Sequence, residues 1–379
     1  MEYLLGIDIG TTGCKASIYD RKGNLYGSGY RNYHIISMHP GWAEENPEEW
    51  WEKTIESIKE CLNISGISSH EILATGVSCT NGIIAIDKSG SCLTNAIMQI
   101  DSRAINQAQI FKDAIGKQKI MDITGNRVAP GTFSAPSIMW LKENWPEVYQ
   151  KTYKFLSPTG YIVNKLTGSF TMDHTRASTT LLYNIKEKTW SKSLCDMVGL
   201  EVNKFPNILY SEEIAGEITT KAAQLTGLSK GMPVIAGVMD SVAACIGIGC
   251  TQIDQSALIV GTVARLCVPM VKETFDSRFL NSIFTKEVPY LSMSPVNGGG
   301  LSTRWFMETF CQEDFSYANT MGINPYVQLE KRASQIPPGS NSLIYLPYLA
   351  GERSPIWDSK ARGMFFGKCS ERKCRILAI

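Results

Sequence analysis

Three strand-like segments joined by very short connections begin the chain, and no other sequence feature restricts the fold as strongly. They are an apolar run at Tyr3–Ile9 and two further runs at 14–19 and 25–33, separated by turn-forming residues such as Gly13 and Asn24. Antiparallel strands can be joined by a tight turn, whereas parallel neighbours need a crossover of roughly a dozen residues or more. We therefore expect an antiparallel opening, which differs from the strand–helix–strand start of a doubly wound nucleotide-binding fold.

A helix is predicted at 48–62, directly after these strands. Its apolar positions recur at helical spacing, and Asn46-Pro47 forms a typical capped start. The residues of this apolar face are Trp51, Ile55, Ile58 and Leu62. The order strand–strand–strand–helix, followed by an apolar strand at 73–78, indicates an α/β unit.

The strand pattern returns near Pro233, after a middle region that reads as mostly helical. An apolar strand is predicted at 234–238, then a helix of small residues, then a further strand at 256–261. We place a change of domain at 249–254, so that residues 1–249 form one domain and residues 254–379 a second.

Charge and cysteine usage restrict the partners that we expect. The chain has 37 Lys and Arg against 36 Asp and Glu, a net charge of +1, whereas dedicated nucleic-acid or membrane-surface binders carry a basic surplus. No apolar run reaches the roughly 18 residues of a transmembrane helix, and the N-terminus has no signal-peptide pattern. We expect a cytoplasmic protein whose 11 cysteines are free, buried thiols.

A turn rich in glycine and threonine follows the first strand. Its glycines permit open backbone conformations, so that several N–H groups can converge on an anion. The candidate phosphate-binding residues are Gly10, Thr11, Thr12 and Lys15. Asp8, at the strand end, is a candidate ligand for Mg²⁺. An ordinary hairpin turn is the alternative from these residues alone.

Asp240 lies where the apolar strand at 234–238 gives way to the small-residue helix. A carboxylate at a strand end can accept the proton of a hydroxyl that attacks a phosphoryl group. The alternative is a helix cap, a position that Asp favours.

Two polar turns are candidate substrate contacts. One contains Thr80 and Asn81 after the strand at 73–78, and the other contains Asp101 and Arg103. Asp and Arg two residues apart offer an acceptor and a forked donor, a combination suited to a polyol. Plain surface turns are the alternative for both.

Two glycine-containing turns in the last third of the chain are candidate ligand contacts. Gly261-Thr262 follows a strand as Gly10-Thr11 does, which would suit a duplicated fold that holds one ligand, although two Gly-Thr pairs also arise by chance. Gly299 and Gly300 lead into a predicted helix, whose N-terminus suits a phosphate or nucleoside. A flexible loop is the alternative for the second turn.

Taken together and in order, these motifs resemble the FGGY family of carbohydrate kinases. In chain order they are Asp8-Ile9-Gly10-Thr11-Thr12, Asp101-x-Arg103, Gly237-x-x-Asp240-Ser241, Gly261-Thr262 and Gly351-Glu352-Arg353-Ser354-Pro355. The resemblance implies an actin-like ATPase (ribonuclease H-like) fold of two lobes, and ATP- and Mg²⁺-dependent phosphorylation of a sugar or polyol. It also implies small-molecule partners and a possible homodimer.

The same resemblance implies roles for individual residues. Asp240 matches the family's catalytic base and Asp8 its acidic residue near Mg²⁺. The matches to the phosphate turns are Thr11, Thr12, Lys15, Gly261 and Thr262. Asp101 and Arg103 fall where the family contacts its substrate. An actin-like chaperone ATPase shares the Asp8 turn, but the Asp240 motif does not resemble that branch.

The expected sugar is a five- or six-carbon ketose, polyol or sugar acid, with D-xylulose first. Residues 40–51 look similar to xylulokinases, whereas 296–300 and 321–326 look similar to gluconokinases. The turn at 79–81 departs from both groups, which carry a Met-His pair there, so gluconate and L-xylulose-type sugars stay open as substrates. The last residues, 368–379, look unlike the family, which continues further. We therefore expect an incomplete second lobe, and a catalytically impaired sugar-binding relative is the alternative.

Overall fold

The computed structural model describes residues 2–129, 131–349, 351–358 and 360–367. The chain divides into two compact units. The first contains residues 1–255, 269–277 and 281–292, and the second contains residues 256–268, 278–280 and 293–379. The chain therefore leaves the first unit and later returns to it twice.

The strands up to residue 239 are β1 Tyr3–Ile9, β2 Gly13–Asp20, β3 Leu25–Asn32, β4 Glu44–Glu45, β5 Ile72–Cys79, β6 Gly82–Ile86, β7 Ala96–Met98, β8 Lys154–Leu156, β9 Thr171–Asp173, β10 Tyr183–Asn184, β11 Thr189–Trp190, β12 Asn207–Leu209, β13 Ile214–Glu217, β14 Pro233–Ile235 and β15 Val238–Met239. The helices of this part are α1 Pro47–Ser65, α2 Ile105–Ile115, α3 Lys117–Thr124, α4 Ser134–Asn144, α5 Pro146–Lys151, α6 Pro158–Thr167, α7 His174–Ala177, α8 Lys192–Met197, α9 Thr220–Thr226 and α10 Asp240–Gly247.

The elements that follow are β16 Ala257–Val260, β17 Ala264–Met270, β18 Leu280–Ile283, β19 Tyr290–Val296, α11 Gly300–Phe310, α12 Gln312–Thr320, α13 Pro325–Ala333, β20 Ile344–Leu346 and β21 Met364–Phe366.

One mixed sheet organises the first unit. Its strand order is β13-β14-β5-β1-β2-β3, with β15 also pairing with β5. The pairs β1–β2 and β2–β3 are antiparallel, which confirms the expected opening. β5, β14 and β15 run parallel to β1. Helix α1 precedes β5 and helix α9 precedes β14, whereas β15 continues in the direction of β14 after two residues. The carboxyl ends of β1, β5 and β15 consequently lie side by side.

Helix α1 packs closely on strands β2 and β3. The Asn46 side chain accepts a hydrogen bond from the Glu48 amide, Pro47 occupies the first turn, and Gly66 ends the helix with a φ of 64°. This confirms the predicted start. Its buried residues include Trp50, Thr54, Ser57, Ile58 and Cys61, so the buried face contains more small and polar side chains than the apolar spacing predicts.

The strand expected at 234–238 is interrupted, because Ala236 and Gly237 separate β14 from β15. Gly237 has a φ of +87°, and a Cβ there would lie 2.5 Å from the carbonyl oxygen of Val77. The chain bends at this glycine against β5, and β15 then pairs with the end of β5 through Val238 and Met239.

Two of the hydrophobic cores of the first unit support the elements that carry the site. The larger one lies around the mixed sheet and includes Ile7, Trp50 and Tyr161. The smaller one is formed by Met172, Ala177, Tyr183, Ile185, Ile283 and Tyr290. Ile283 and Tyr290 come from the last stretch that returns to this unit, so the smaller core joins segments far apart in sequence.

The second unit has its own paired strands and core. β16 and β17 form an antiparallel pair in which Ala257 faces Cys267, and β20 pairs antiparallel with β21. Phe306 and Cys311 are buried, and the apolar residues packed against them are Trp305, Leu329, Ile336 and Phe365. Across the described ranges of both units, no helix is long and apolar enough to span a membrane.

Candidate active site

Three polar side chains meet at the carboxyl ends of β1, β5 and β15. In the sheet register Asp8 on β1 lies opposite Ser78 on β5, which in turn lies opposite Val238 on β15. Asp240 follows β15 directly as the first residue of α10. The fold therefore brings together the two carboxylates that the sequence singled out, although they are far apart in the chain.

Asp8 is held by a short hydrogen bond and sits in an electrostatic environment that disfavours its charge. Ser78 Oγ donates to Asp8 Oδ1 at 2.6 Å. Loss of solvent raises the pKa of the Asp8 carboxyl and the negative charge of Asp240 raises it further, whereas Ser78, Arg176 and Lys15 oppose the shift. The charges of Asp8 and Asp240 therefore repel one another.

The Asp240 carboxylate lies at the N-terminus of α10, with 44% of the side chain exposed. Its Oδ1 accepts hydrogen bonds from the amide of Ser241 at 2.6 Å and from the Ser241 hydroxyl at 2.9 Å. The carboxylate thus has a fixed orientation and also access to solvent. A general base for an incoming hydroxyl requires both properties.

Arg176 is a residue of this site that the sequence did not single out. Its Nη2 lies 3.8 Å from Asp240 Oδ1, and its side chain is only 2% exposed. Nη2 also donates to the carbonyl oxygen of Cys79, the last residue of β5. Residues 173–176 contain no glycine and no apolar periodicity that would mark them as a functional segment. The sequence signal was limited to the Arg between Thr175 and Ala177.

The turn between β1 and β2 places the predicted phosphate-binding residues beside Asp8. The Gly10 amide donates to the Gly13 carbonyl at 3.0 Å, and the Tyr33 hydroxyl donates to the Gly10 carbonyl, which fixes the turn. Thr12 and Lys15 are exposed and Thr11 is half-buried. In the β1–β2 register Lys15 lies opposite Asp8. Their role in phosphate binding stays a prediction.

Asp101 and Arg103 form a buried ion pair with each other. Arg103 donates to both Asp101 oxygens, with Nη2 at 2.8 Å from Oδ2, and the same Nη2 lies 2.7 Å from Glu44 Oε1. The guanidinium stacks on Trp42, 3.7 Å from the ring centre, and Nη1 is buried with no hydrogen-bond partner among the described residues. The pair therefore anchors this loop, and sugar contact by either residue stays a prediction.

Thr80 and Asn81 are also buried and hydrogen-bonded inside the first unit. Gln99 donates to the Thr80 hydroxyl at 3.1 Å, and the Asn81 amide donates to the Thr132 carbonyl at 2.8 Å. The turn at 79–81 is thus tied to two neighbouring loops. Whether these side chains contact a sugar also stays a prediction.

In the second unit, the Gly261-Thr262 turn packs on the start of α11. The amides of Gly300 and Leu301 donate to the carbonyls of Gly261 and Thr262 at 2.7 and 3.0 Å. A Cβ on Gly299 would lie 2.7 Å from the amide nitrogen of Ala264, so this glycine permits close backbone packing. The helix start is thus bonded to the turn, and nucleotide binding by Gly261, Thr262, Gly299 and Gly300 stays a prediction.

The Glu352-Arg353 loop is held by its own charged side chains. Glu352 Oε1 accepts from the amides of Asn297 and Arg353, both at 2.7 Å, and Arg353 Nε donates to Asn297 Oδ1 at 2.8 Å. Burial lowers the pKa of Arg353, and the positive charge of Arg265 lowers it further. These contacts give this turn-rich loop a structural role, because its own charged side chains hold it in place.

The carboxylates of the site suit a divalent cation whose remaining ligands are supplied by the substrate and by water. Among the described residues, no three His, Cys, Asp or Glu side chains form a group that could hold a metal ion by themselves. Protein Mg²⁺ sites commonly use one or two carboxylates together with substrate phosphates and water. Asp8, repelled by Asp240, matches that donor chemistry.

Comparison with known proteins identifies the family that this chain resembles in sequence and fold. Residues 3–247 match the N-terminal domain of the FGGY family of carbohydrate kinases. The chain is 31% identical to a xylulose kinase of Bacillus subtilis over 372 residues, which cover 97% of this chain and 72% of the relative. It is also similar to a ligand-bound xylulose kinase and to a gluconate kinase, both from Lactobacillus acidophilus, with TM-scores of 0.87 and 0.88. Each is 29% identical, and each comparison covers 97% of this chain and 73% of the other.

Proposed function

The chain belongs to the FGGY family of carbohydrate kinases, and from this membership we propose that it phosphorylates D-xylulose with Asp240 as the general base. The coarser conclusion does not depend on the sugar: the protein is a sugar kinase with an actin-like ATPase fold, and its phosphoryl donor is ATP. The choice of sugar and the role of Asp240 are the parts that need testing.

The observation that carries the proposal is the placement of Asp240. It lies at the carboxyl end of β15, is partly exposed, and is oriented by Ser241. Asp8 lies at the neighbouring end of β1 with its own bond to Ser78. Phosphoryl transfer depends mostly on positioning of the reactants and on neutralisation of the phosphate charge. Two carboxylates with different partners suit these two roles.

In the proposed reaction a sugar hydroxyl gives its proton to the Asp240 carboxylate. Its oxygen forms a bond to the γ-phosphorus of ATP, and the bond from that phosphorus to the β–γ bridging oxygen breaks, which releases ADP. Mg²⁺, when bound with ATP, neutralises phosphate charge. Asp8 would hold it, and the exposed Thr12 and Lys15 would contact the phosphates.

D-xylulose is favoured because the Bacillus subtilis relative and a Lactobacillus acidophilus neighbour are both named xylulose kinase. Gluconate and L-xylulose-type sugars are the alternatives, since the other Lactobacillus acidophilus neighbour is named gluconate kinase. The buried Nη1 of Arg103, without a partner among the described residues, is the proposed donor to a sugar hydroxyl.

The test is a coupled assay of ADP release over a panel containing D-xylulose, L-xylulose and gluconate. We expect sugar-dependent turnover that is highest with D-xylulose. Asp240→Asn should lower kcat by about 10²- to 10⁴-fold, the usual contribution of a general base, and change KM little. Asp113→Asn, which alters an exposed carboxylate on α2, is the matched control and should behave as the unaltered chain.

Two results would contradict the proposal. Unchanged turnover in Asp240→Asn would remove this residue as the base. Tight sugar binding without any ATP-dependent turnover would instead support the sugar-binding, non-catalytic alternative.

A further inference from the structure

Arg176 occupies a position that a merely structural arginine rarely takes. It lies in the short helix α7, and the Asp173 side chain caps that helix through a bond from the Arg176 amide at 3.0 Å. The Arg176 side chain is almost entirely buried. Burying a guanidinium is costly unless partners compensate for the lost water.

Two contacts of α7 lead to the strand ends that carry the site. Arg176 Nη2 donates to the carbonyl of Cys79 at the end of β5, and the Thr175 hydroxyl accepts from the amide of Met239 on β15 at 2.9 Å. Two consecutive residues of one helical turn therefore hold the two strands that position Ser78 and Asp240.

The charge of Arg176 is compensated by two carboxylates. They are the fully buried Asp173 and Asp240, whose Oδ1 lies 3.8 Å from Arg176 Nη2. Arg176 Nε and Asp173 Oδ2 have no hydrogen-bond partner among the described residues. Arg176 Nε therefore makes no bond within its own helix, and the candidate base is a carboxylate partner of the guanidinium from outside α7.

We propose that Arg176 is a positioning residue for phosphoryl transfer, whose guanidinium holds the Asp240 carboxylate in place relative to the end of β5. The inference rests on the proposed role of Asp240. The bonds from Ser241 to Asp240 Oδ1 lie along α10, whereas Arg176 is a buried group that links the same oxygen to the end of β5. Losing that tie should misplace the base without removing it.

The test compares Arg176→Met, which keeps the length but removes the charge, with Arg176→Lys. Arg176→Met should lower kcat by about 10- to 100-fold, since small misplacements of reacting groups have effects of this size, while the KM values for sugar and ATP stay close to those of the unaltered chain. Arg176→Lys should recover part of the loss, because it keeps the charge without the planar fork.

Lys204→Met is the matched control for removing a buried cation. Lys204 is buried in the same unit and donates to the carbonyl of Thr152 at 2.9 Å, with no contact to the site. It should lower the unfolding temperature and leave kcat per folded molecule unchanged. An equal loss of kcat in Lys204→Met and Arg176→Met would overturn the proposal.

A double-mutant cycle separates positioning from general destabilisation. If Arg176 acts through Asp240, Arg176→Met should have almost no further effect on kcat in the Asp240→Asn background. The same four proteins are compared by thermal unfolding, where the two substitutions should shift the midpoint by less than the sum of their separate shifts. Additive effects in both measurements would overturn the proposal.

The two readouts also distinguish this inference from the proposed function. Coupled unfolding in a chain that shows no sugar-dependent turnover would contradict the proposed function and support the Arg176–Asp240 contact. Turnover that is lost in Asp240→Asn but unaffected by Arg176→Met would support the function and overturn the positioning role.

Discussion

Glu45 is a buried acid whose environment disfavours its charge. Its side chain is 1% exposed, Trp50 Nε1 donates to Oε2 at 2.6 Å, and Oε1 has no partner among the described residues. Burial raises the pKa of Glu45 from 4.5 to about 8, and the charge of Glu49 adds to the shift, while Trp50 opposes it. At neutral pH the folded protein therefore holds a protonated carboxyl here.

This shift gives the stability a predictable pH dependence. Between pH 4.5 and about 8 the folded chain binds a proton at Glu45 that the unfolded chain has released, so the free energy of unfolding falls as the pH rises through this window. Glu45→Gln keeps an acceptor for Trp50 but does not ionise. We expect the variant to be more stable than the unaltered chain at pH 8, by an amount of the order of 2 kcal/mol, and nearly equal to it at pH 4.5.

Urea unfolding at a series of pH values measures this difference. Glu52→Gln, which alters an exposed glutamate on helix α1, is the control and should follow the unaltered chain at every pH. Parallel pH curves for Glu45→Gln and the unaltered chain would show that the burial of Glu45 has no such effect.

At the residue scale, the sequence predicted the carboxylates of the site better than their partners. Asp8 and Asp240 each follow an apolar run, so strand ends alone point to them. Arg176 acts through contacts with Cys79 and Asp240, which lie far from it in sequence, and no local pattern encodes such contacts. The same limit applies to Arg103, whose stacking on Trp42 depends on tertiary packing.

At the scale of elements, the contact of α1 with β3 depends on glycine. A Cβ on Gly27 would lie 2.7 Å from the carbonyl oxygen of Cys61 and 2.8 Å from the Cβ of Ser65. Gly29 is similarly close to Ser57. The small side chains on this face of α1 therefore meet the two glycines of β3, and helix and strand approach closely.

Gly27→Ala should separate α1 from β3, since the obstructing atoms, a backbone carbonyl oxygen and a Cβ, cannot rotate away. We expect a loss of stability of about 1–3 kcal/mol, typical of overpacking. Gly6→Ala on β1 is the matched control, because a Cβ there meets nothing within 4 Å. Chemical unfolding checks both variants, and equal midpoints would contradict the close packing.

The elements of the first unit were largely predictable from sequence, and the exceptions have physical causes. The antiparallel opening and the start of α1 follow from connection length and capping, both of which are local. The buried face of α1 includes Thr54 and Ser57, which apolar spacing cannot identify, because they bond to the backbone at Trp50 and Cys14. The break at Gly237 depends on its approach to Val77, which is a tertiary contact.

At the scale of the whole molecule, Asn126 and Asn281 join distant parts of the first unit. Asn126 donates to the Asn281 carbonyl at 2.8 Å and accepts from the Asn281 amide at 2.8 Å. The Asn281 side chain donates to the Gly125 carbonyl at 2.6 Å. All of these groups are buried, so each would be costly to leave without a partner.

Asn126→Ala should therefore destabilise the first unit by about 1–3 kcal/mol. Tryptophan fluorescence during urea unfolding is a suitable measurement, since six of the eight tryptophans precede residue 191 and belong to this unit. Asn144→Ala, which removes one exposed bond to the Trp140 carbonyl, is the control and should change the midpoint little. Equal midpoints for both variants would mean that the Asn126–Asn281 contact does not stabilise this unit.

The smaller core of the first unit also has a consequence for synthesis on the ribosome. Ile283 belongs to that core, and its amide donates to the Ser178 hydroxyl, 105 residues earlier in the chain. When Asp240 leaves the ribosome, the segment that carries Asp173 and Arg176 still lacks this cover. A nascent chain can therefore contain both carboxylates of the site before the support around them exists, and the site is completed only after the first strands of the second unit have been translated.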